Sequence, residues 1–463
     1  MSASTRLWDK GEPLDARVAR FTVGRDPELD GQLIAYDALA SAAHATMLRK
    51  IGVLGAEELS GLLRELAACA AEARRGEFGV AADEEDGHTA LENRLTARLG
   101  DAGRRVHTGR SRNDQVIAAL RLWARERLVE LTGRLLDLVQ QLLSLAEAQR
   151  ETTMPGYTHT RQAMPSTLGH FFAAHAEGLL DALPWIRTAF AHVDRSPLGS
   201  ASGYGVALPL DRVLVAELLG FARPQANTLA VQNDRGRTEY LLLAVAALIA
   251  TDLGRLATDL IGFSSDELGY VRLAAAVTTG SSIMPQKRNP DVLELIRAQA
   301  ARLRQRQAEV AAIYGGLASG YHRDLQLTKE PLLEGLSGVI DLVAVMGRVL
   351  ETLQVDAERC RAALLPATAA TDEVYRRVAA GQPFRLAYRE VAADPAGAVG
   401  SEGAELWRAR CHLGAPGALD LHDYRAALHE GRQWVATKGQ HLAAVWALLT
   451  SALAPDGDAG GEP

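Results

Sequence analysis

From Asn113 to Thr153 the chain runs without a proline, and its apolar residues fall at Ile117, Leu120, Ala124, Leu128, Leu131, Leu135, Leu138, Leu142 and Leu145. Steps of three and four place these on one face of a helix. A second stripe, Leu122, Val129, Leu136 and Leu143, recurs every seven residues. A helix apolar on two sides needs more than one partner. At 1.5 Å per residue it would be roughly 60 Å long, more than one small domain can cover. The pattern therefore predicts a long bundle shared between subunits. A second bundle helix is expected after Gln232-Asn233-Asp234-Arg235-Gly236-Arg237, with the stripe Leu242, Val245, Ile249, Leu253, Leu256, Leu260 and Phe263. A third begins after Pro290.

Composition agrees. The 463 residues are 48% apolar but only 5% aromatic, rich in Leu and Ala, which favours helices over sheets. A net charge of −7 argues against a general nucleic-acid binder. Cys69, Cys360 and Cys411 lie far apart and read as free thiols of a reducing compartment. Met1 to Pro13 has no apolar signal core, and the run Leu241 to Ala250 is too short to span a bilayer, so a cytoplasmic, non-membrane protein is expected. There is no P-loop, dinucleotide fingerprint, H-E-x-x-H or zinc pattern, and no cofactor or metal is implied.

Along the chain, Met1 to Arg25 reads as a polar, irregular arm lying on a neighbour. Asp30 to Arg75 reads as two helices broken near Gly52 to Gly55. The acidic run Asp83-Glu84-Glu85-Asp86 suits a helix N-terminus, and His88 leads a short helix, Ala90 to Leu99. Pro155 and Gly156 end the long helix. Pro165 to Val193 is expected to be helical, with His170, His175 and His192 structural. Ser196 to Gly203 is a small-residue loop. From about Val355 onward a smaller helical region ends in a Gly- and Asp-rich tail.

Three stretches carry more chemistry than joining helices requires. In Val106-His107-Thr108-Gly109-Arg110-Ser111-Arg112-Asn113-Asp114, arginines and hydroxyls sit at a helix start. Free N–H groups and a bidentate guanidinium there make an anion clamp. Tyr157-Thr158-His159-Thr160-Arg161-Gln162 holds a histidine, the side chain most ready to exchange a proton near neutral pH, although a lone histidine is usually structural. In Thr279-Gly280-Ser281-Ser282-Ile283-Met284-Pro285-Gln286-Lys287-Arg288-Asn289-Pro290-Asp291, a glycine permits close approach, a lysine brings charge and two prolines limit collapse. Such a loop can hold a carboxylate and deliver a hydroxyl oxygen to a neighbouring carbon.

The motif Gly280-Ser281-Ser282 through Lys287-x-Asn289-Pro290 resembles the signature of the fumarase/aspartase superfamily of lyases, in the form of its argininosuccinate lyase branch. Gly156-Tyr157-Thr158-His159, Ser196-Pro197-Leu198-Gly199-Ser200 and Tyr321-x-x-Asp324-Leu325-Gln326-x-x-Lys329-Glu330 are similar to further segments of that branch. The resemblance covers roughly Ala35 to Pro331. It implies an all-α, three-domain fold divided at residues 1–105, 106–355 and 356–463, and a homotetramer whose sites are each built from three subunits. It implies β-elimination of argininosuccinate to arginine and fumarate. Ser281 is the expected base, with Ser282 as the fallback, because a serine serves when its alkoxide is stabilised. Lys287 supplies charge. Glu294, on the next helix, is implied as the partner of His159. His88, Ser111, Arg112, Asn113, Thr158, Asn289, Tyr321, Gln326 and Lys329 are implied as substrate contacts. The chain departs from the branch at Phe21-Thr22-Val23-Gly24-Arg25-Asp26 and at Thr160-Arg161, where Gln162 is a candidate replacement for an amide contact. A sister lyase releasing fumarate from aspartate or adenylosuccinate, and a non-catalytic structural relative, are the alternatives. The segments around Arg112 and Gln326 argue against the first, and intact Ser281, Lys287, His159 and Glu294 against the second.

Overall fold

The computed structural model describes residues 15–81, 84–397 and 403–451. Its organising element is α7, Arg112–Ala148, preceded by α1 Ala16–Val23, α2 Asp26–Asp30, α3 Ile34–Lys50, α4 Ala56–Arg74, α5 Gly87–Leu99 and α6 Asp101–Arg105. Ser111 caps α7, and its backbone N–H donates to Asp114 three residues on. The expected stripe is buried from Ile117 to Leu142, and so are Leu122, Leu136 and Leu143 of the second stripe. Burial on two sides is met by α3 and α14 (Lys329–Glu351), with α18 (His422–Ser451) returning to pack along α7. The expected Pro155 stop is not where the helix ends. The chain leaves α7 at Ala148 and forms a hairpin of β1 Thr153–Thr158 and β2 Arg161–Thr167. Pro155 sits inside β1, opposite Pro165.

The stretch expected as one helix from Pro165 to Val193 is instead the end of β2 followed by α8 Leu168–Leu180 and α9 Leu183–Val193. Thr167 caps α8 through the His170 N–H, and Pro184 restarts the helix after Asp181 and Ala182. After β3 (Arg195–Ser196), α10 Arg212–Leu218, β4 (Arg223–Pro224) and α11 Thr228–Asn233 comes α12, Arg237–Phe263. Its entry is a tight turn at Gly236, with φ +76°, where a Cβ would meet the Tyr314 side chain at 2.3 Å. Only glycine fits that approach. The stretch Thr228–Phe263 is long and apolar enough to cross a membrane by length and composition, a wider span than the short run read from sequence, but 61% of its most apolar window is buried inside this protein. It is a core helix, packed against α13 (Asp291–Tyr314) and α14.

Short β5 (Val271–Arg272) pairs with β8 (Gln354–Val355), and β6 (Thr279–Gly280) with β7 (Arg288–Asn289), so the described strands form two-stranded pairs set among helices. Beyond α14, α15 Ala357–Ala362 precedes α16 Ala370–Ala379 and α17 Phe384–Ala393, whose small separate core is Val374, Ala387 and Val391. Leu428 and Val445 of α18 belong to the main core. The N-terminal arm is less irregular than expected: Asp15 caps α1 by accepting from the N–H groups of Arg17 and Val18. Residues 1–14, Asp83 and the Gly- and Asp-rich tail lie outside the described residues.

Leu253 is fully buried at the centre of the α12 stripe. Leu253→Ala is expected to cost about 2–5 kcal/mol, the range for emptying a packed leucine site, and chemical denaturation with unchanged far-UV circular dichroism would show it.

Candidate active site

Three places in one chain hold the side chains singled out by sequence. The first is a cleft of about 130 Å³ lined by Arg112 and Asn113 from the start of α7, His88 from α5, and Tyr321, Gln326 and Lys329 before and at the start of α14. The expected substrate contacts thus converge from sequence positions more than two hundred residues apart, because α7 and α14 pack side by side. Ser111 does not join them. Its hydroxyl accepts from the Asn113 N–H and serves as the helix cap. Arg110, the other half of the expected clamp, is buried and donates to Ser41.

The cleft also contains residues that the motif reading passed over: Asp26, Asp30, Glu85, Asp86, Arg235 and Arg323. Arg112 donates to Glu85 at 2.8 Å and to Thr89 at 2.9 Å, and lies 3.3 Å from Asp86. The clamp is therefore closed on the acidic run that sequence reading assigned to a helix start. Asp86 does both jobs, since it also caps α5 by accepting from the Thr89 N–H. Lys329 is buried between Asp30, at 2.5 Å, and Asp26, at 3.0 Å. Burial alone would lower its pKa, but the two carboxylates outweigh it and raise it. Gln326 spends its amide on the Thr22 and Val23 carbonyls, at 3.0 and 3.1 Å. The divergent N-terminal segment is thereby tied to the cleft's edge, with Arg323 bridging the Thr22 carbonyl and Glu85. The signal for this counter-charge was present in the Glu84-Glu85-Asp86 run.

The second place is the β1–β2 hairpin. Thr158 pairs with Arg161, so His159 and Thr160 form a two-residue turn with φ of +51° and +59°. That is the pattern of a type I′ turn, built here without glycine. It carries the His159 side chain to an exposed tip. Gln162 is not free to replace a substrate contact, because its amide donates to the Ala363 carbonyl at 2.7 Å and accepts from the Leu365 N–H at 3.0 Å.

The third place is the loop between β6 and β7. The Ser281 hydroxyl oxygen accepts the N–H of Met284 at 3.1 Å and of Ile283 at 3.3 Å. Asn289 pairs with Thr279 across the strands, and Thr279 bonds Asp291. Lys287 lines a wide neighbouring cavity with Arg272, Arg288 and Arg359. Glu294 stands exposed on the first turn of α13. Within one chain no described hydrogen bond or ion pair joins Glu294 to His159, and neither of the two lines the cleft.

His88 sets the electrostatics of the cleft. Its Nδ1 lies 2.7 Å from Asp37. Burial opposes its charge, but Asp37, Asp86 and Asp30 outweigh that and push its pKa up from 6.5 to about 9. The folded protein holds this proton more tightly than the unfolded chain. The pair therefore stabilises the fold fully below about pH 6.5, and the contribution is lost as pH rises through about 9. The difference is worth about 3 kcal/mol. Thermal melts from pH 6.5 to 9 should show a falling midpoint in the native protein, and Asp37→Asn should start lower and fall less.

A family profile described as lyase matches residues 12–304, more than half of the chain. An argininosuccinate lyase from Sorangium cellulosum (strain So ce56) is 49% identical over 420 residues, covering 91% of this chain and 97% of that protein. One from Stenotrophomonas maltophilia (strain K279a) is 43% identical, covering 91% and 98%. Among solved structures, EDDS lyase in complex with formate superposes with a TM-score of 0.80 at 25% identity over 96% of both chains. Matched along most of its length by enzymes of one activity, the chain belongs to the argininosuccinate lyase family of the fumarase/aspartase superfamily.

Proposed function

We infer that this protein cleaves argininosuccinate by β-elimination into L-arginine and fumarate, a step of arginine biosynthesis. The observation that carries the chemistry is the Ser281 hydroxyl oxygen, which already receives two backbone N–H groups. Those donors stabilise negative charge on that oxygen, as a serine acting as base requires. These two bonds favour Ser281 over the fallback Ser282, and Ser281 is taken as the base. It removes the proton from the succinyl carbon beside a carboxylate. The C–H electrons form the new double bond as the C–N bond breaks, and the departing guanidino nitrogen takes a proton. Lys287 offsets the charge that builds on the carboxylate, and the Asn289 amide donates a hydrogen bond to it. His159, with Glu294 behind it, delivers the leaving-group proton or orders a water for it.

The cleft suits the other end of the substrate. Its carboxylates Glu85, Asp86, Asp26 and Asp30 stand against Arg112, Arg323 and Lys329. A mixed lining of this kind complements an amino acid that carries an ammonium, a guanidinium and carboxylates together. Tyr321 and the side-chain oxygen of Gln326 complete the contacts in the cleft, and Thr158 joins them from the hairpin of another subunit. Because cleft, hairpin and loop stand apart in one chain, we propose that a homotetramer brings them together from three subunits, over the domain division at residues 105 and 355.

Mixing the protein with argininosuccinate should produce the ultraviolet absorbance of fumarate, while aspartate and adenylosuccinate give none. Ser281→Ala should lower kcat by about a thousandfold with little change in KM, the pattern of an interaction made in the transition state. Dissociating and reassembling Ser281→Ala with Arg112→Ala should restore part of the activity, since some mixed sites would draw both intact residues from different chains. No recovery would end the shared-site proposal.

A further inference from the structure

We propose that the hydroxyl pair Tyr157–Tyr270, acting with Gln162, is a positioning device that fixes the His159 tip for proton delivery. The proposal rests on the reading of His159 given above. A two-residue turn with both φ positive is unfavourable for histidine and more so for β-branched Thr160. Such a turn persists only when its surroundings hold it. The β register shows how. Tyr157 and Gln162 are cross-strand partners one step behind the pair that closes the turn, and a bulge at Gly156/Tyr157 re-aims this end of the strand. Each of the two partners is fastened by a polar bond.

Tyr157 Oη lies 2.6 Å from Tyr270 Oη. Tyr270 is fully buried, so its hydroxyl has a fixed direction. Its ring packs against Phe263 with centroids 5.4 Å apart. Its carbonyl accepts the Asp356 N–H at 2.9 Å and the Cys360 thiol at 3.8 Å. Gln162 is fastened to the carbonyl of Ala363 and the N–H of Leu365. Both clamps thus land on one block, the strand pair β5–β8 and α15 that follows it. A short two-stranded ribbon is marginal by itself. Here the two residues behind its tip are bolted to that block, while the tip's own side-chain bond, from the Thr160 hydroxyl to the His159 carbonyl at 2.6 Å, stays within the turn. Nothing in this arrangement touches the reacting atoms, so Tyr270 acts through the hairpin.

The test compares Tyr270→Phe, Tyr157→Phe and the double variant in the assembled protein, with argininosuccinate as substrate and hydrogen–deuterium exchange of the 153–167 peptide. Tyr270→Phe keeps the buried ring and removes only the hydroxyl. Each single variant should lose kcat by about ten- to a hundredfold with KM within about twofold, the scale of a misplaced catalytic group. Exchange in the hairpin should quicken while the overall melting temperature holds within a few degrees. The double variant should lose no more than either single one, as for two partners of one bond. Unchanged kcat would overturn the proposal, whether or not exchange quickens, and so would lower kcat with unchanged hairpin exchange. Full activity in His159→Asn would overturn the premise instead, and is told apart because the exchange measurement does not depend on turnover. If Tyr270→Phe fails to fold, Tyr157→Phe, altered on the half-buried hairpin side, carries the same comparison.

Discussion

The start of α7 depends on one buried carboxylate. Asp114 accepts the Ser111 N–H on one oxygen and the N–H groups of Gly199 and Ala201 on the other, at 2.9, 3.1 and 2.8 Å. Burial pushes its pKa up, to about 6, against the pull of those three donors. The interaction caps the longest helix and pins the small-residue loop after β3 to the same point. Arg112 and Asn113 stand on the first turn beyond that cap, so the direction in which they face the cleft is inherited from it. Ala201, with φ +52°, is held in an unfavourable backbone region by the same bond.

Further along, α7 carries cations where a bundle would ordinarily be apolar. Arg121 donates to Asp234 at 2.9 Å and to the Arg195 carbonyl at 2.7 Å, and Arg125 reaches Asp194 and the carbonyls of Leu219 and Gly220. Burial would raise the pKa of Asp234, but His192, Arg121 and Arg195 hold it down at about 2. These residues tie the irregular segment between α9 and α12 to the long helix. Leaving one of them unpaired would cost more than the pair contributes. His192 is structural for this reason.

The cleft and the two outlying motifs follow opposite electrostatic rules. In the cleft, each cation has a carboxylate within the same fold, and ligand binding must exchange those partners. The Ser281 loop and the His159 tip instead point outward, and among the described residues no ion pair ties their side chains to the rest of the chain. Under the shared-site proposal, other copies of the chain would complete a site built from such pieces.

Periodicity was enough to determine the long bundle helices. The stripe from Ile117 to Leu145 and that from Leu242 to Phe263 lie where 3.6-residue spacing puts them, because burial of an apolar face is a local property of sequence. The chemistry of the loop from Thr279 to Asp291 was equally legible, since its residue types have no other use together. Tertiary structure decided what local pattern cannot encode. It turned Met154–Thr167 into a hairpin, because cross-strand pairing competes with helix only when both strands are present. It split the helix expected up to Val193. It set the acidic run against Arg112, Lys329 between two aspartates, Arg110 against Ser41 and Gln162 against the end of α15. Charge pairing depends on distance in space, and residues 26, 85, 112 and 329 become neighbours only when α7 and α14 lie side by side.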